Sequence, residues 1–435
     1  MTPNTERRDT HARDHDRGAD AAGAGHHEGQ LVPTDPIPAA PRCGRDRASG
    51  LVPTEPRPSR DPHRGRPRLK STIEVVARPD RIVLHRAART DGDVALRGDV
   101  GVLAALVDLL DGRRTRAEIL NALRAGPAPE LGRGDLDDAI DALAARGLVE
   151  DAADDARYLD PDGLERYDRQ LRYFGDLAPA GVARAAAQKR LEDATVTVLG
   201  LGGLGGMAAT MLTVCGIGTV VGVDHDHVEL SNLARQVLYS EDDLGRPKVE
   251  AAAERLRKLN ARSTFVGVPR RLGSARAVAD AISGADFVVA AVDWPATRIS
   301  GWVNDACFAA GIPYTSMSQH PPLVRVGPTY LPGVTGCHAC QEADYRRRFP
   351  LFDAALSALS ADSPAATYAP SCGVIGSLVA NEAIAHVTGL APLACAGRAA
   401  LIDMTTLTVT HEDVPRDPTC PVCGGAVASA MRPAS

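Results

Sequence analysis

Residues 194–205 read ATVTVLGLGGLG, a run broken by nothing more polar than threonine that ends in a burst of glycine. A strand of this kind belongs in a parallel sheet buried on both faces. The glycines Gly200, Gly202, Gly203 and Gly205 sit at the first strand-to-helix turn. Lacking Cβ atoms, they let backbone N–H groups approach a phosphate at a helix N-terminus. A helix is expected from Gly205. Thr219–Asp224 and Phe287–Asp293 read as further strands of the same type. Strand-helix-strand alternation predicts a doubly wound, Rossmann-like α/β fold. Asp224 lies nineteen residues after Gly205, where an acid holds ribose hydroxyls. So far a nicotinamide dehydrogenase fits as well as an enzyme that uses ATP.

The motifs beyond Asp224 separate the two. They are Ser231-Asn232-Leu-Ala-Arg235-Gln236 and Leu244-Gly-Arg-Pro-Lys248. Arg166-Tyr-Asp-Arg169-Gln170 precedes the first strand, and Asp293 is followed by Ala296-Thr-Arg298. Gly376-Ser377 and Asn381-Glu-Ala383 stand in a late helix. In this order, over about 270 residues, the motifs resemble the ThiF/MoeB/HesA adenylating family, related to ubiquitin-activating enzymes. The resemblance implies ATP as substrate, with Arg235 and Lys248 on the triphosphate and Asp293 holding Mg²⁺ through oxygen. It implies that Arg169 reaches the ATP site of a partner subunit, hence a homodimer. Ser231, Asn232 and Trp294 complete the expected nucleotide site. Cationic groups suit this chemistry, because attack at the α-phosphate builds negative charge on phosphate oxygens. Taken singly, each Arg would read as a surface ion pair.

Nine cysteines stand in a chain with no signal-peptide pattern at its start, so thiols or metal ligands are expected rather than disulfides. Cys337-His-Ala-Cys340 and Cys420-Pro-Val-Cys423 form two pairs that suit tetrahedral structural zinc. The family carries such pairs too. His338 reads as a knuckle side chain rather than a ligand. Some relatives place a thioester-forming cysteine after the first pair, but residues 341–371 hold none. Cys372 is next, with a role near the nucleotide favoured over a covalent one. Cys215, Cys307 and Cys395 read as buried, and Cys43 falls in the N-terminal tail.

Residues 1–70, rich in Pro, Arg, Asp, His and Gly, are expected to be a disordered tail. They hold a near-repeat, Leu31-Val-Pro-Thr-Asp-Pro36 and Leu51-Val-Pro-Thr-Glu-Pro56, taken as a duplicated spacer. Residues 72–157 form a second unit. Thr72–Val76 and Ile82–His85 read as strands. Val100–Leu110, Thr115–Leu123 and Leu136–Arg146 read as helices, and Leu148–Glu150 as a closing strand. Thr115 and Glu118 make a capping-box pattern, and Gly147 a C-cap. This is a winged-helix outline. Its third helix carries four Asp in seven residues, the wrong sign for facing phosphates, so nucleic acid is excluded as partner. The stretch is similar to the PqqD-like leader-peptide recognition domains, in which a peptide adds a strand to the small sheet. Residues 158–435 then form the adenylation domain.

Within the family, Gly327–Cys337 and Ala366–Pro370 bring the chain nearest to the microcin-type peptide adenylyltransferases. Arg325, in an apolar run, and Trp294, where carrier activators place Asn, depart from pattern. The resemblance implies adenylation of the C-terminal carboxylate of a ribosomally made precursor peptide, with the leader held by residues 72–157. The alternatives are activation of a ubiquitin-like sulfur carrier, or a non-catalytic peptide-binding subunit. A net charge of −6 and no long apolar run give no pull toward a membrane, and the expected location is cytoplasmic.

Overall fold

The computed structural model describes residues 65–86, 93–358 and 366–424. Residues 1–64 of the expected tail, with the near-repeat and Cys43, lie outside the described residues. Residues 67–69, expected in the tail, instead form a strand paired with Val149–Asp151, so the small module begins before residue 72.

The chain opens with β1 (Pro67–Leu69), β2 (Ile73–Arg78), β3 (Arg81–Arg86) and β4 (Val94–Arg97). Helices α1 (Val100–Leu109), α2 (Arg116–Arg124) and α3 (Arg133–Ala145) come next, then β5 (Val149–Asp151). β2, β3 and β4 make an antiparallel sheet, while β1 pairs with β5. Apolar spacing along the three helices fills one small core, in which Leu84, Ile119, Leu123, Ile140 and Leu148 are all buried. Thr115 caps α2, its hydroxyl accepting from Glu118 N while Glu118 accepts from Thr115 N. Gly147, at φ +65°, turns the chain out of α3. Neither β1 nor β4 was expected from the sequence. Both are short, and β1 is defined by a partner more than eighty residues away.

A partly buried ion network ties this module to the helices α4, α6 and α7, which span Asp155–Tyr158, Asp168–Leu177 and Arg184–Asp193. Arg68 bridges Glu150 (2.8 Å) and Asp155 (2.9 Å), Arg184 meets Asp155 at 2.8 Å, and Lys70 Nζ donates to Gly175 O at 2.5 Å.

Between α4 and α6 lies α5 (Pro161–Arg166). After α7 come β6 (Thr195–Leu199), α8 (Gly203–Val214), β7 (Thr219–Val223), α9 (Lys248–Leu259) and β8 (Thr264–Val268). After α10 (Ala275–Ala281), β9 (Phe287–Ala290), α11 (Ile299–Ala310) and β10 (Tyr314–His320), the chain doubles back through β11 (Leu323–Tyr330). The remainder is α12 (His338–Arg348), α13 (Phe352–Ala358), α14 (Ala369–Thr388), β12 (Arg398–Asp403) and β13 (Val409–Asp413). One sheet of eight strands results, ordered β13-β12-β11-β10-β9-β6-β7-β8. Its β10-β9-β6-β7-β8 part is parallel and the rest antiparallel.

Along β9, Phe287 and Val289 pack on one face with α8 and α14, while Val288 packs on the other with α10 and α11. Burial on both faces explains why the run carries no charged residue. The α/β fold is therefore as expected, with two shifts. α8 starts at Gly203 rather than Gly205, and the third strand stops at Ala290, before Asp293. The three antiparallel strands β11–β13 were not foreseen. Among the described residues no helix is long and apolar enough to cross a membrane.

Candidate active site

Strand order reverses between β6 and β9, because β7 and β8 lie to one side of β6 and β9 and β10 to the other. In open α/β sheets a crevice opens at such a point, beyond the carboxyl ends of the strands. The glycine turn after β6 and Asp293 after β9 are both there.

The turn tolerates no side chain at two positions. Gly200 has φ +86°, and a Cβ on it would stand 2.5 Å from Ala291 O. A Cβ on Gly205 would stand 1.9 Å from Gly200 O. Gly202 is the residue before the first turn of α8, and a Cβ on Gly203 would meet Cys372 Sγ at 2.6 Å. The turn is held by Asp224, whose Oδ2 accepts from Leu201 N at 2.7 Å and whose Oδ1 accepts from Asp226 N at 2.9 Å. Asp224 thus braces two backbone turns at the place where the sequence assigns it to ribose.

Lys248 is the first residue of α9 and is buried. Its ammonium donates to Asp226 Oδ2 at 3.0 Å, and Asp226 itself is open to solvent. Asn232 is buried and its Oδ1 accepts from Glu229 N at 3.2 Å, which fixes the 230–232 turn, with Ser231 exposed. Arg235 Nη1 donates to Ser231 O at 2.8 Å, and among the described residues no carboxylate pairs with Arg235. Asp293 and Trp294 are exposed at the end of β9, with the Arg271 guanidinium 4.0 Å over the Trp294 ring. Arg169, on α6, is not brought to this edge within one chain; its side chain is 92% exposed. Its neighbours in the motif are structural. Tyr167 accepts from Asn260 at 3.0 Å, and Gln170 donates to Cys215 O at 2.8 Å.

Several groups here had no role assigned from the sequence. Gln236 is buried beside Gly202, and its Oε1 finds no partner among the described residues. Tyr239 donates to Leu201 O at 2.9 Å. Glu382, buried on α14, accepts from Thr329, Ala394 N and Cys395 N, so the late-helix motif anchors the strand-side loops. Only the Asn381-Glu-Ala383 motif signalled Glu382 in advance.

Cys372 lies against the glycine turn, and burial pushes its thiol up despite the nearby Arg235. A raised, enclosed thiol is a poor nucleophile. Burial also pushes Cys395 up to about 11 and Cys307 up to about 12. Cys215 is half-buried at the end of α8 rather than fully buried.

Cys337, Cys340, Cys420 and Cys423 come together as one buried cluster. Their Sγ atoms stand 3.9 Å (337–340), 3.6 Å (337–420) and 3.4 Å (340–423) apart. A disulfide needs ~2.05 Å. A tetrahedron of ~2.3 Å metal–sulfur bonds has edges of ~3.8 Å. The four thiols therefore fit a tetrahedral metal ion, and Asp417 N already points at Cys340 Sγ from 3.4 Å.

A glycine turn at the switch point, with a buried lysine near it and an acid beyond the adjacent strand β9, gives the α/β fold a candidate nucleotide site. A model of the ThiF family matches residues 167–422, more than half of the sequence, and the chain belongs to that family. The sulfur carrier protein ThiS adenylyltransferase of Escherichia coli is 34% identical over 270 residues, which are 60% of this chain and 95% of that one. The molybdopterin-synthase adenylyltransferase of the same organism is 35% identical over 240 residues, covering 54% and 90%. Among solved structures, the Escherichia coli microcin C7 biosynthetic enzyme MccB in complex with N-formylated MccA superposes with a TM-score of 0.62 at 22% identity, over 82% of this chain and 99% of that one. The protein is thus an adenylating enzyme that uses ATP.

Proposed function

We propose that the protein adenylates the C-terminal carboxylate of a ribosomally made precursor peptide, as in microcin-type biosynthesis, with residues 72–157 gripping the leader. The observation that carries this is the small module. The likeness in fold to MccB runs over 82% of the chain. The family match itself begins at residue 167, after the module. The module reads as a winged helix of the PqqD-like type. β2 and β4 are its sheet edges, and an extended peptide laid along an edge gains main-chain hydrogen bonds.

In this reading the peptide's carboxylate attacks the α-phosphate and pyrophosphate leaves. The N–H groups of the glycine turn meet phosphate oxygens, Lys248 and Arg235 balance the growing charge, and Asp224 keeps the turn in place. Asp293, an exposed carboxylate at a strand end, fits Mg²⁺; when bound, the ion screens the phosphate charge. The outward Arg169 supports a homodimer in which it serves the second copy. The cysteine cluster holds structural zinc at the start of α12.

To test the grip, a chain starting at Ala153 keeps the Arg184–Asp155 pair and should still bind ATP. Its affinity for the precursor peptide, measured by fluorescence polarisation, should fall at least about tenfold, the loss of a few main-chain hydrogen bonds. Unchanged affinity would remove the clamp. Cys372→Ala should leave pyrophosphate exchange near the wild-type rate; complete loss would restore a covalent role for that thiol. The second reading, a ubiquitin-like sulfur carrier as substrate, is favoured by sequence identity to carrier activators. It takes first place if exchange requires such a carrier.

A further inference from the structure

We propose that a row of three arginines, Arg78, Arg81 and Arg97, on the open face of the small sheet binds carboxylate side chains of the precursor's leader. This rests on the peptide-adenylation reading above and gives the gripped segment its chemistry, which is acidic.

Register fixes the row. Ile82 and Leu84 of β3 are buried, so they and the residues opposite them face the core of the module. Arg81 is out of phase with them and faces away. It stands opposite Arg78 of β2 on one side and Arg97 of β4 on the other. The three arginines thus cross the sheet side by side, with roughly 5 Å between neighbouring Cβ atoms. Two residues along, Val76, Val83 and Ala95 make a second row on the same face, also in register. Arg78, Arg97 and Ala95 are exposed, and Val76 and Val83 partly so. A band of positive charge therefore runs beside an apolar band.

Like charges directly opposite each other on a sheet destabilise it. Elsewhere in the module arginines meet acids. Arg116 meets Asp137 at 3.2 Å and Asp141 at 2.5 Å, on the α3 side of the core, and Arg68 meets Glu150 at 2.8 Å. In the row, Arg81 reaches Asp80 of the adjoining turn at 3.5 Å, and both groups are exposed. Among the described residues no carboxylate pairs with Arg78 or Arg97. Glu74 stands at the other end of this face, opposite His85, which holds Asp93 at 2.6 Å. A strand added at either edge continues both rows with its own alternating side chains. A carboxylate there relieves the repulsion and accepts from a guanidinium. An apolar residue two positions away extends the valine band. A neutral or basic side chain leaves the three charges as they are.

The test uses fluorescein-labelled Gly-Ser-Thr-Val-Thr-Xaa-Thr-Xaa-Thr-Gly with Xaa as Glu, Gln or Lys, and the full chain. Polarisation is read at about 0.05 M and 0.5 M salt, on either side of strong screening. At low salt the Glu peptide should bind about tenfold more tightly than the Gln peptide, the sum of a few exposed ion pairs, and the Lys peptide most weakly. High salt should erase the order. In the triple variant Arg78→Gln, Arg81→Gln, Arg97→Gln the preference should fall to within about twofold, while lysine at all three positions keeps most of it. Ratios within one variant cancel any difference in folded fraction. Equal binding of Glu and Gln peptides by the wild type, or an unchanged preference in the triple glutamine variant, overturns the inference. So does a labelled oligothymidine that binds as tightly through the same three arginines, since the row is then a general polyanion site. In each case the leader grip stands if the Gln peptide still prefers the full chain to the chain starting at Ala153. If no peptide distinguishes those two chains, both readings fall.

Discussion

Replacing Lys248 with methionine is expected to cut carboxylate-dependent ATP–pyrophosphate exchange by at least about a hundredfold, as losing one preorganised charge contact on a transition state does. The folded state should hardly notice. The ammonium is buried, and Asp226, its carboxylate partner among the described residues, is half exposed on the surface. Removing a buried cation whose partner can turn to water leaves no stranded buried charge, and the methionine stem fills the same space. The thermal midpoint should therefore move by only a few degrees. Asp226→Asn gives the converse, releasing Lys248 while keeping its charge at the site, so exchange should fall much less. Wild-type exchange in Lys248→Met would show that the triphosphate lies elsewhere. A large drop in midpoint would make the lost activity a folding effect.

Local pattern made the centre of the sheet legible. The strand Thr195–Leu199, the glycine turn and the buried β9 each announce themselves within a dozen residues, since both faces of these strands are covered and the turn admits no Cβ. β11–β13 gave no such signal. In Leu323–Tyr330, Val324 and Val326 face the core while Arg325 faces a cavity, so a correct alternating strand looks like an apolar run with an intruder. The residue that explains the intruder, Glu412, comes 87 positions later on β13. Arg169 is the opposite case. Its motif was plain, yet one chain leaves the side chain in solvent, and whatever it serves belongs to another copy or to nothing. Asp224 falls between. Its place after the second strand was legible, but its two backbone hydrogen bonds show a bracing role that spacing cannot express.

The four cysteines allow the largest effect on stability. Two local pairs, 83 residues apart in each cross-contact, meet in the core that also holds Val414 and Tyr330. They tie the segment after β13 to the start of α12, where Cys337 stands just before the first turn. Four thiols this close, too far apart for disulfides, have the spacing of a tetrahedral metal site. Structural zinc contributes on the order of 10 kcal/mol to folding in small peptides. We therefore expect about one zinc per chain by atomic emission, and Cys340→Ser should lower the thermal midpoint by at least ~10 °C with loss of the metal. The control is Cys307→Ser, equally buried on α11 but outside the cluster. It removes the same sulfur from the same core, so it should cost less and keep the zinc. Zinc-free protein that melts like the wild type would end this account of the cluster.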